Sequence, residues 1–339
     1  MTSRTPPASQ PFRHAAVVGA TAWGTTLAVH LARNGQTVTL FARHAAEADE
    51  LQSTRSNARR LPGVIFPERL DVTHDLARIE QADLVCLVVP SRTLESNTAA
   101  VAGHLRTDAT LLSAVKGLEQ GSGRRMSEVI AAAAPGHPVA VLSGPNLSRE
   151  VAAGLPGSTV IAITDGPVDA VHAAFHSTSL RVYTSDDVIG VEMGGALKNV
   201  IAIAAGMVDA LGFGDNGKAA LLTRGLAEMA RLGTAAGANP RTFQGLAGMG
   251  DLVATAYSPL SRNRRLGELV AGGATLDEAL AALGETAEGA TTIEAARMLA
   301  ERLGVSMPVT DGLHRVLYEG LHPLRAMEEL MAREPGPEI

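Results

Sequence analysis

Four groups of residues in this chain have the types and spacing for chemistry. Lys198 lies in a stretch from Val188 to Met207 that is apolar on nearly every helical face, interrupted by Glu192 and the Lys198-Asn199 pair. A helix apolar all round is buried, and a buried ammonium needs ionic partners or a changed pKa, which suits it to pass a proton. The plainer alternative is a solvated helix lysine. Gly194 and Gly195, one turn earlier, would leave room for a ligand beside Lys198. A second group runs from Gly248-Met249-Gly250-Asp251 to Ser261-Arg262-Asn263-Arg264-Arg265. Guanidinium forks match pairs of phosphate oxygens, with Arg262 the first choice, although three arginines in four residues also make an ordinary solvated patch. Asp251 stands where a helix N-cap before Leu252 would stand.

The third group is Gly19-x4-Gly24, between the apolar run Ala15–Val18 and an alanine-rich helix ended by Asn34-Gly35. Such a turn aims the unpaired N–H groups and positive dipole end of the helix at a diphosphate. Thr21 takes the place of the middle glycine of the dinucleotide fingerprint, and a structural strand-helix turn would carry the same two outer glycines. The fourth group closes the second strand, Phe41-Ala42-Arg43-His44, with no acid before Glu47. An acid here would hold a ribose 2′-hydroxyl, whereas an arginine accommodates a 2′-phosphate, so NADP or dual use is expected.

The elements that must position these groups fall into two halves. Apolar runs at 15–18, 37–41, 84–89, 110–115, 139–142 and 159–163 are continuous rather than alternating, with helix-compatible stretches between several of them. That pattern predicts a parallel sheet covered on both faces, a Rossmann-like doubly wound α/β domain over 14–185. Pro90-Ser91, Lys116-Gly117 and Ser143 to Asn146 end three runs and should face the same crevice as the glycine turn. Beyond about 185 the strand signals vanish, and helical periodicity broken near 212–217, 237–240, 256–259, 272–274 and 304–308 predicts an all-α domain over 186–339. Residues 1–13 are polar and Pro-bearing and read as a flexible tail.

Composition narrows the function further. The 339 residues are 46% hydrophobic, ample for a core, and a net charge of −6 argues against a nucleic-acid partner. No charge-free apolar stretch of spanning length appears, so no membrane insertion is expected. The single Cys86, inside an apolar run, reads as a buried hydrophobe in a reducing compartment, without a disulfide framework and without a nucleophile's surroundings. His172 and His176 share a helix face at metal-ligand spacing, but no third ligand matches, so no metal site is expected.

Taken in order, these segments resemble the bacterial type of NAD(P)-dependent glycerol-3-phosphate dehydrogenase. The similarity runs from about Ala15 to Leu330: Gly19-x4-Gly24 with Trp23, Val88-Val89-Pro90-Ser91, Lys116-Gly117-Leu118-Glu119, Ser143-Gly144-Pro145 with Glu150, Arg181-Val182-Tyr183, Gly194 through Ile203, Thr223 through Met229, Gly250-Asp251-Leu252 and Ser261 through Arg265. The resemblance implies a cytoplasmic oxidoreductase, with a homodimer allowed for. It would interconvert dihydroxyacetone phosphate and sn-glycerol 3-phosphate by hydride transfer with NADP or NAD, supplying glycerol 3-phosphate for phospholipid synthesis. By the same resemblance Gly19, Ala22, Trp23, Gly24, Arg43, His44, Lys116, Ser148, Arg262 and Glu288 line the dinucleotide. Lys116, Gly144, Asn146, Lys198, Asn199, Asp251, Ser261, Arg262 and Asn263 surround the triose phosphate. Lys198 matches the proton acceptor, with Lys116 and Asp251 beside it as catalytic residues.

Two positions depart from the family pattern. Thr21 replaces its second glycine, which either moves the pyrophosphate outward or offers a hydroxyl contact, and Asn146 stands where many members have threonine. Hydride delivery to a C2 carbonyl builds negative charge on oxygen, so a proton donor must be poised there and a clamp must hold the remote phosphate. Burial and Lys116 would lower the pKa of Lys198, and Asp251 would raise it. The balance between them is not readable from sequence.

Overall fold

The computed structural model describes residues 11–284 and 287–334, so most of the expected N-terminal tail lies outside the described residues. The chain divides into two compact units, Met1–Val115 with Met126–Val188, and Lys116–Arg125 with Ile189–Ile339. The short segment Lys116–Arg125 therefore groups with the second unit although its sequence lies inside the first half.

The first unit runs β1 (His14–Val18), α1 (Ala22–Arg33), β2 (Thr37–Phe41), α2 (Ala45–Thr54), β3 (Leu70–Thr73), β4 (Leu84–Leu87), α3 (Leu94–Ala102) and β5 (Thr110–Ser113). It continues with α4 (Met126–Ala133), β6 (Val139–Ser143), α5 (Ser148–Ala152), β7 (Gly157–Ala162), α6 (Val168–Phe175) and β8 (Leu180–Ser185). The eight strands form one sheet in the order β3-β2-β1-β4-β5-β6-β7-β8. Successive side chains of β1 feed opposite cores: Ala15 and Val17 join one apolar cluster, Ala16 and Val18 the other. Both faces are covered, and that is why the strands read as unbroken apolar runs.

Two features differ from the sequence expectation. The sheet is not wholly parallel, because β7 pairs with β6 antiparallel before β8 joins β7 in parallel. β3 and β8 are strands that the apolar runs did not announce. They are edge strands with half-exposed alternation, Leu70-Asp71-Val72-Thr73 and Leu180-Arg181-Val182-Tyr183, so each lacks the continuous apolar signal of the centre.

The second unit is helical among its described residues: α7 (Val188–Ala210), α8 (Gly214–Ala235), α9 (Asp251–Tyr257), α10 (Arg262–Ala271), α11 (Leu276–Leu283), α12 (Glu288–Leu303), α13 (Pro308–Tyr318) and α14 (Pro323–Met331). By length and composition α7 is apolar enough to cross a membrane, yet 89% of its most apolar stretch is buried inside the protein, as in a core helix. It packs against α10 at backbone distance. A Cβ added to Gly267 would lie 1.9 Å from the Ile203 carbonyl oxygen, and one on Gly206 would lie 1.9 Å from that of Arg264. Only glycine lets two helices approach so closely, and the approach fixes Lys198 on α7 relative to Arg262 on α10.

Candidate active site

In the second unit the sequence folds so that three charged side chains from three segments converge. Lys198 on α7 and Asp251 at the start of α9 are both buried, and Lys116 opens the short segment grouped with them. Asp251 accepts from Lys116 Nζ at 2.6 Å on Oδ2 and pairs with Lys198 Nζ at 3.0 Å on Oδ1. Lys198 Nζ also donates to Thr255 Oγ1 at 2.6 Å, and Thr255 Oγ1 lies 3.3 Å from Asp251 Oδ1. Lys198 is thus a buried, partnered amine, and the solvated alternative fails. Thr255 is a residue that sequence reasoning missed; its signal is its place one helical turn after Asp251, on the same face of α9.

Burial is the largest influence on Lys198 and lowers its pKa to about 8, with Lys116 and Arg262 adding to the fall and Asp251 opposing it. Burial pushes the Asp251 carboxyl up, but Lys116 and Lys198 outweigh it and hold the group below its ordinary value. Asp251 therefore stays a carboxylate while Lys198 sits close to its own midpoint. A group poised this way can hand over a proton and recover it.

Asp251 does not act as a helix cap. The cap position is Gly250, in helical conformation, and the carboxylate turns instead toward the two lysines. A π-helical turn over Leu246–Gly250 delivers it, and such turns mark functional sites in many helices. That turn also corrects the expectation about Gly194. A Cβ there would lie 2.5 Å from the Ala247 carbonyl oxygen, so the space is filled by the chain that carries Asp251, not left for a ligand.

Asn199 and Asn263 form a directional amide relay. Gly289 N donates to Asn263 Oδ1 at 3.0 Å, Asn263 Nδ2 donates to Asn199 Oδ1 at 2.8 Å, and Asn199 Nδ2 donates to the Lys116 carbonyl at 3.3 Å and to that of Gly195 at 3.4 Å. Asn199 has both amide protons committed inside the unit and so holds Lys116 in place, whereas Asn263 keeps one N–H in reserve. Gly289 follows Glu288 at the start of α12, which brings Glu288 beside this relay. Ser261 caps α10 by accepting from Arg264 N at 3.2 Å, and Arg262, the first residue of that helix, is exposed. Arg264 is no anion clamp, since it is spent on Asp209 and Glu268, each at 2.8 Å. Glu192, the other polar interruption of α7, is paired with Arg125 at 2.7 Å.

In the first unit, the turn from Gly19 to Gly24 lies at the carboxyl edge of β1, where the parallel strands β2, β4, β5 and β6 also end. Gly19 has φ of +113°, and a Cβ on it would lie 2.6 Å from the Val88 carbonyl oxygen, so no other residue fits. Thr21 Oγ1 accepts from Gly24 N at 2.9 Å and donates to the Val88 carbonyl at 3.1 Å. Its hydroxyl thus braces the turn internally and is not offered outward. Ala22 and Trp23 form the first helical positions, whose N–H groups have no intrahelical acceptor.

Arg43 and His44 follow β2 and are exposed, with Arg43 N donating to Glu47 Oε2 at 3.2 Å. Gly144, Asn146 and Ser148 follow β6; Asn146 Nδ2 donates to Thr159 Oγ1 at 3.0 Å, and the Ser148 carbonyl accepts from Thr26 Oγ1 at 3.1 Å. Buried polar atoms without a protein partner include Trp23 Nε1, Ser143 Oγ and Asn146 Oδ1, all at this edge. Buried polar atoms are almost always paired, so a polar ligand such as a dinucleotide fits here.

The two histidines flagged for spacing are structural. His172 Nε2 bonds the Val182 carbonyl at 3.2 Å, His176 Nδ1 accepts from Val182 N at 3.3 Å, and the rings stack with centroids 5.0 Å apart. Cys86 is wholly buried, and burial pushes its thiol far above the ordinary range, which leaves it inert.

A doubly wound unit with a glycine turn fit for a diphosphate, followed by a helical unit holding a buried lysine–aspartate couple, defines a dinucleotide-dependent oxidoreductase. Family models described as the N-terminus and the C-terminus of NAD-dependent glycerol-3-phosphate dehydrogenase match residues 14–168 and 187–328. The chain belongs to that family. It is 52% identical over 331 residues to glycerol-3-phosphate dehydrogenase (NAD(P)+) of Parafrankia sp. strain EAN1pec, covering 96% of this chain and 99% of the relative. It is 48% identical over 328 residues to the protein of the same name from Streptomyces griseus, covering 96% and 98%. A crystal structure of glycerol-3-phosphate dehydrogenase from Coxiella burnetii superposes with a TM-score of 0.91 at 39% identity, covering 95% of this chain and 99% of that one.

Proposed function

We propose that this protein interconverts dihydroxyacetone phosphate and sn-glycerol 3-phosphate with NADPH or NADH, supplying glycerol 3-phosphate for phospholipid synthesis. The observation that carries the reading is the buried Lys198 amine, held by Asp251 and Thr255 and brought to a pKa of about 8. A nicotinamide dinucleotide, when bound, would supply the hydride for the C2 carbon of the ketone. In the reduction Lys198 Nζ–H donates its proton to the C2 oxygen as negative charge develops there, and in the oxidation the neutral amine takes it back. Asp251 keeps the amine protonated in the resting site and aims it, with Thr255 as the second anchor. Lys116, fixed by Asp251 and by the Asn199 relay, adds a positive charge that favours the developing oxyanion.

Ser261, Arg262 and Asn263 at the start of α10 are the proposed phosphate clamp, where an exposed guanidinium and the helix dipole favour an anion. Gly19, Ala22, Trp23, Gly24, Gly144, Asn146 and Ser148 would hold the dinucleotide and the substrate's polar groups in the first unit. Arg43 and His44 would take the ribose end, where Arg43 suits a 2′-phosphate. Glu288 and Lys116 complete the proposed cofactor set.

A cytoplasmic location and a homodimer are also proposed. The lone thiol is buried in an apolar strand, as in a reducing compartment, and Met249, Val253, Tyr257 and Leu260 leave large apolar side chains exposed for a second copy to cover. Following NADPH and NADH oxidation with dihydroxyacetone phosphate, against a panel of 2-oxoacids, tests the assignment. Turnover of a 2-oxoacid and none of the triose phosphate would overturn it.

A further inference from the structure

The glycine turn is held from a side that its own sequence does not reveal. Between α2 and β3 the chain makes a closed loop: Phe66 N donates to the Arg55 carbonyl at 2.8 Å, and Ser56 bridges Ile65. Arg55, at φ of +51°, is the one non-glycine among the described residues in the left-handed region, a conformation that persists only where its surroundings enforce it. Its guanidinium is tied to the Pro67 carbonyl at 2.6 Å. Two residues on, Asn57 leaves this loop and enters the turn. It is only 3% exposed, and its Nδ2 donates to the Ala20 carbonyl at 3.1 Å and to Thr25 Oγ1 at 2.9 Å.

The peptide between Ala20 and Thr21 is planar and trans, so its C=O and N–H point in opposite directions. With the Ala20 oxygen pulled inward by Asn57, the Thr21 N–H is turned outward, beside the unpaired N–H groups of Ala22 and Trp23. These are the donors that a diphosphate at the start of α1 would meet. Thr21 Oγ1 pins the turn to Val88 and Gly24 from its other side. A glycine in place of Thr21 would lack that brace.

We infer that Asn57 is a positioning residue for dinucleotide binding: its amide donates to the Ala20 carbonyl and so presets the outward-facing N–H groups of the turn. The inference rests on the assignment of the turn to the cofactor. It singles out donation to the Ala20 carbonyl, which can only accept, so an isostere that only accepts must fail there, whereas the Thr25 hydroxyl can turn to donate.

The test is Asn57→Asp, which keeps the shape and replaces the donating amide by a carboxylate facing a carbonyl oxygen. Losing the buried hydrogen bond to the Ala20 carbonyl, and setting a carboxylate against that oxygen, is expected to raise the dissociation constant for NADPH at least about tenfold, read by fluorescence titration. The KM for NADPH should rise with it, while kcat at saturating NADPH and the KM for dihydroxyacetone phosphate stay within about threefold, since the N–H donors act in binding and not in the transition state alone. Asn57→Ser, which retains one O–H donor, should fall between wild type and Asn57→Asp, and carries the test if the aspartate variant does not fold. Wild-type NADPH affinity in the folded Asn57→Asp protein would overturn the inference, whatever its melting temperature. So would an equal loss in kcat and in the KM for both substrates. If the wild-type protein itself fails to bind NADPH, the assignment of the turn falls instead, and the two failures are thereby told apart.

Discussion

Asp251 raises the proton affinity of Lys198 against the pull of burial, and Asp251→Asn isolates that effect because the amide keeps the shape and removes the charge. If Lys198 passes the proton as proposed, reduction by the wild-type protein needs the ammonium and oxidation needs the free amine. Reduction should therefore fall, and oxidation rise to a plateau, as pH climbs through about 8. The carboxylate oxygen lies 3.0 Å from Lys198 Nζ, and it opposes burial, Lys116 and Arg262, which all lower the amine's pKa. An opposite charge this close is worth about 1–3 pK units, so its removal should bring the inflection from about 8 to about 5–7.

For a shift of about two units, the protonated fraction at pH 7.5 drops from about three quarters to about 3%, roughly 25-fold. The assay is initial-rate reduction of dihydroxyacetone phosphate and oxidation of glycerol 3-phosphate by both proteins at saturating substrate, from about pH 5.5 to 10. The variant should regain part of its reductive rate in acid and reach its oxidative plateau earlier than wild type. An inflection that stays near 8 or moves upward would refute the reasoning, for then Asp251 is not the charge that holds the proton.

Lys198→Ala should lose at least about 10²-fold in turnover, as expected for removal of a general acid, and unchanged turnover would sink its proposed role. Arg262→Ala should mainly raise the KM for dihydroxyacetone phosphate; an equal loss with unphosphorylated dihydroxyacetone would contradict the clamp. Gly267→Ala places a methyl group 1.9 Å from the Ile203 carbonyl oxygen, on a backbone that cannot swing aside. It should cost about 1–3 kcal/mol of stability, visible as a lower melting temperature by circular dichroism, and an unaltered melt would show that α7 and α10 can part.

Most of the element order and the chemistry of the pieces can be read from the amino-acid sequence. Continuous apolar runs announce a sheet buried on both faces, and Gly19, Gly24, Lys198, Asp251 and Arg262 can be picked out by residue type and spacing. β3 and β8 were not legible because edge strands lack that continuous run, and the antiparallel turn of β7 was not legible because an apolar run carries no direction.

Pairing belonged to the tertiary structure. By type and position Asp251 suits a helix cap, but its carboxylate lies between two lysines from segments 135 and 53 residues away in the chain, positions 116 and 198. Gly194 looked like room for a ligand and proved to be room for the Ala247 carbonyl. The pKa of Lys198 was undecided from sequence because it is a small difference between burial and neighbouring charges. Those terms depend on distances of a few ångströms between residues far apart in the chain, and only the folded chain sets such distances.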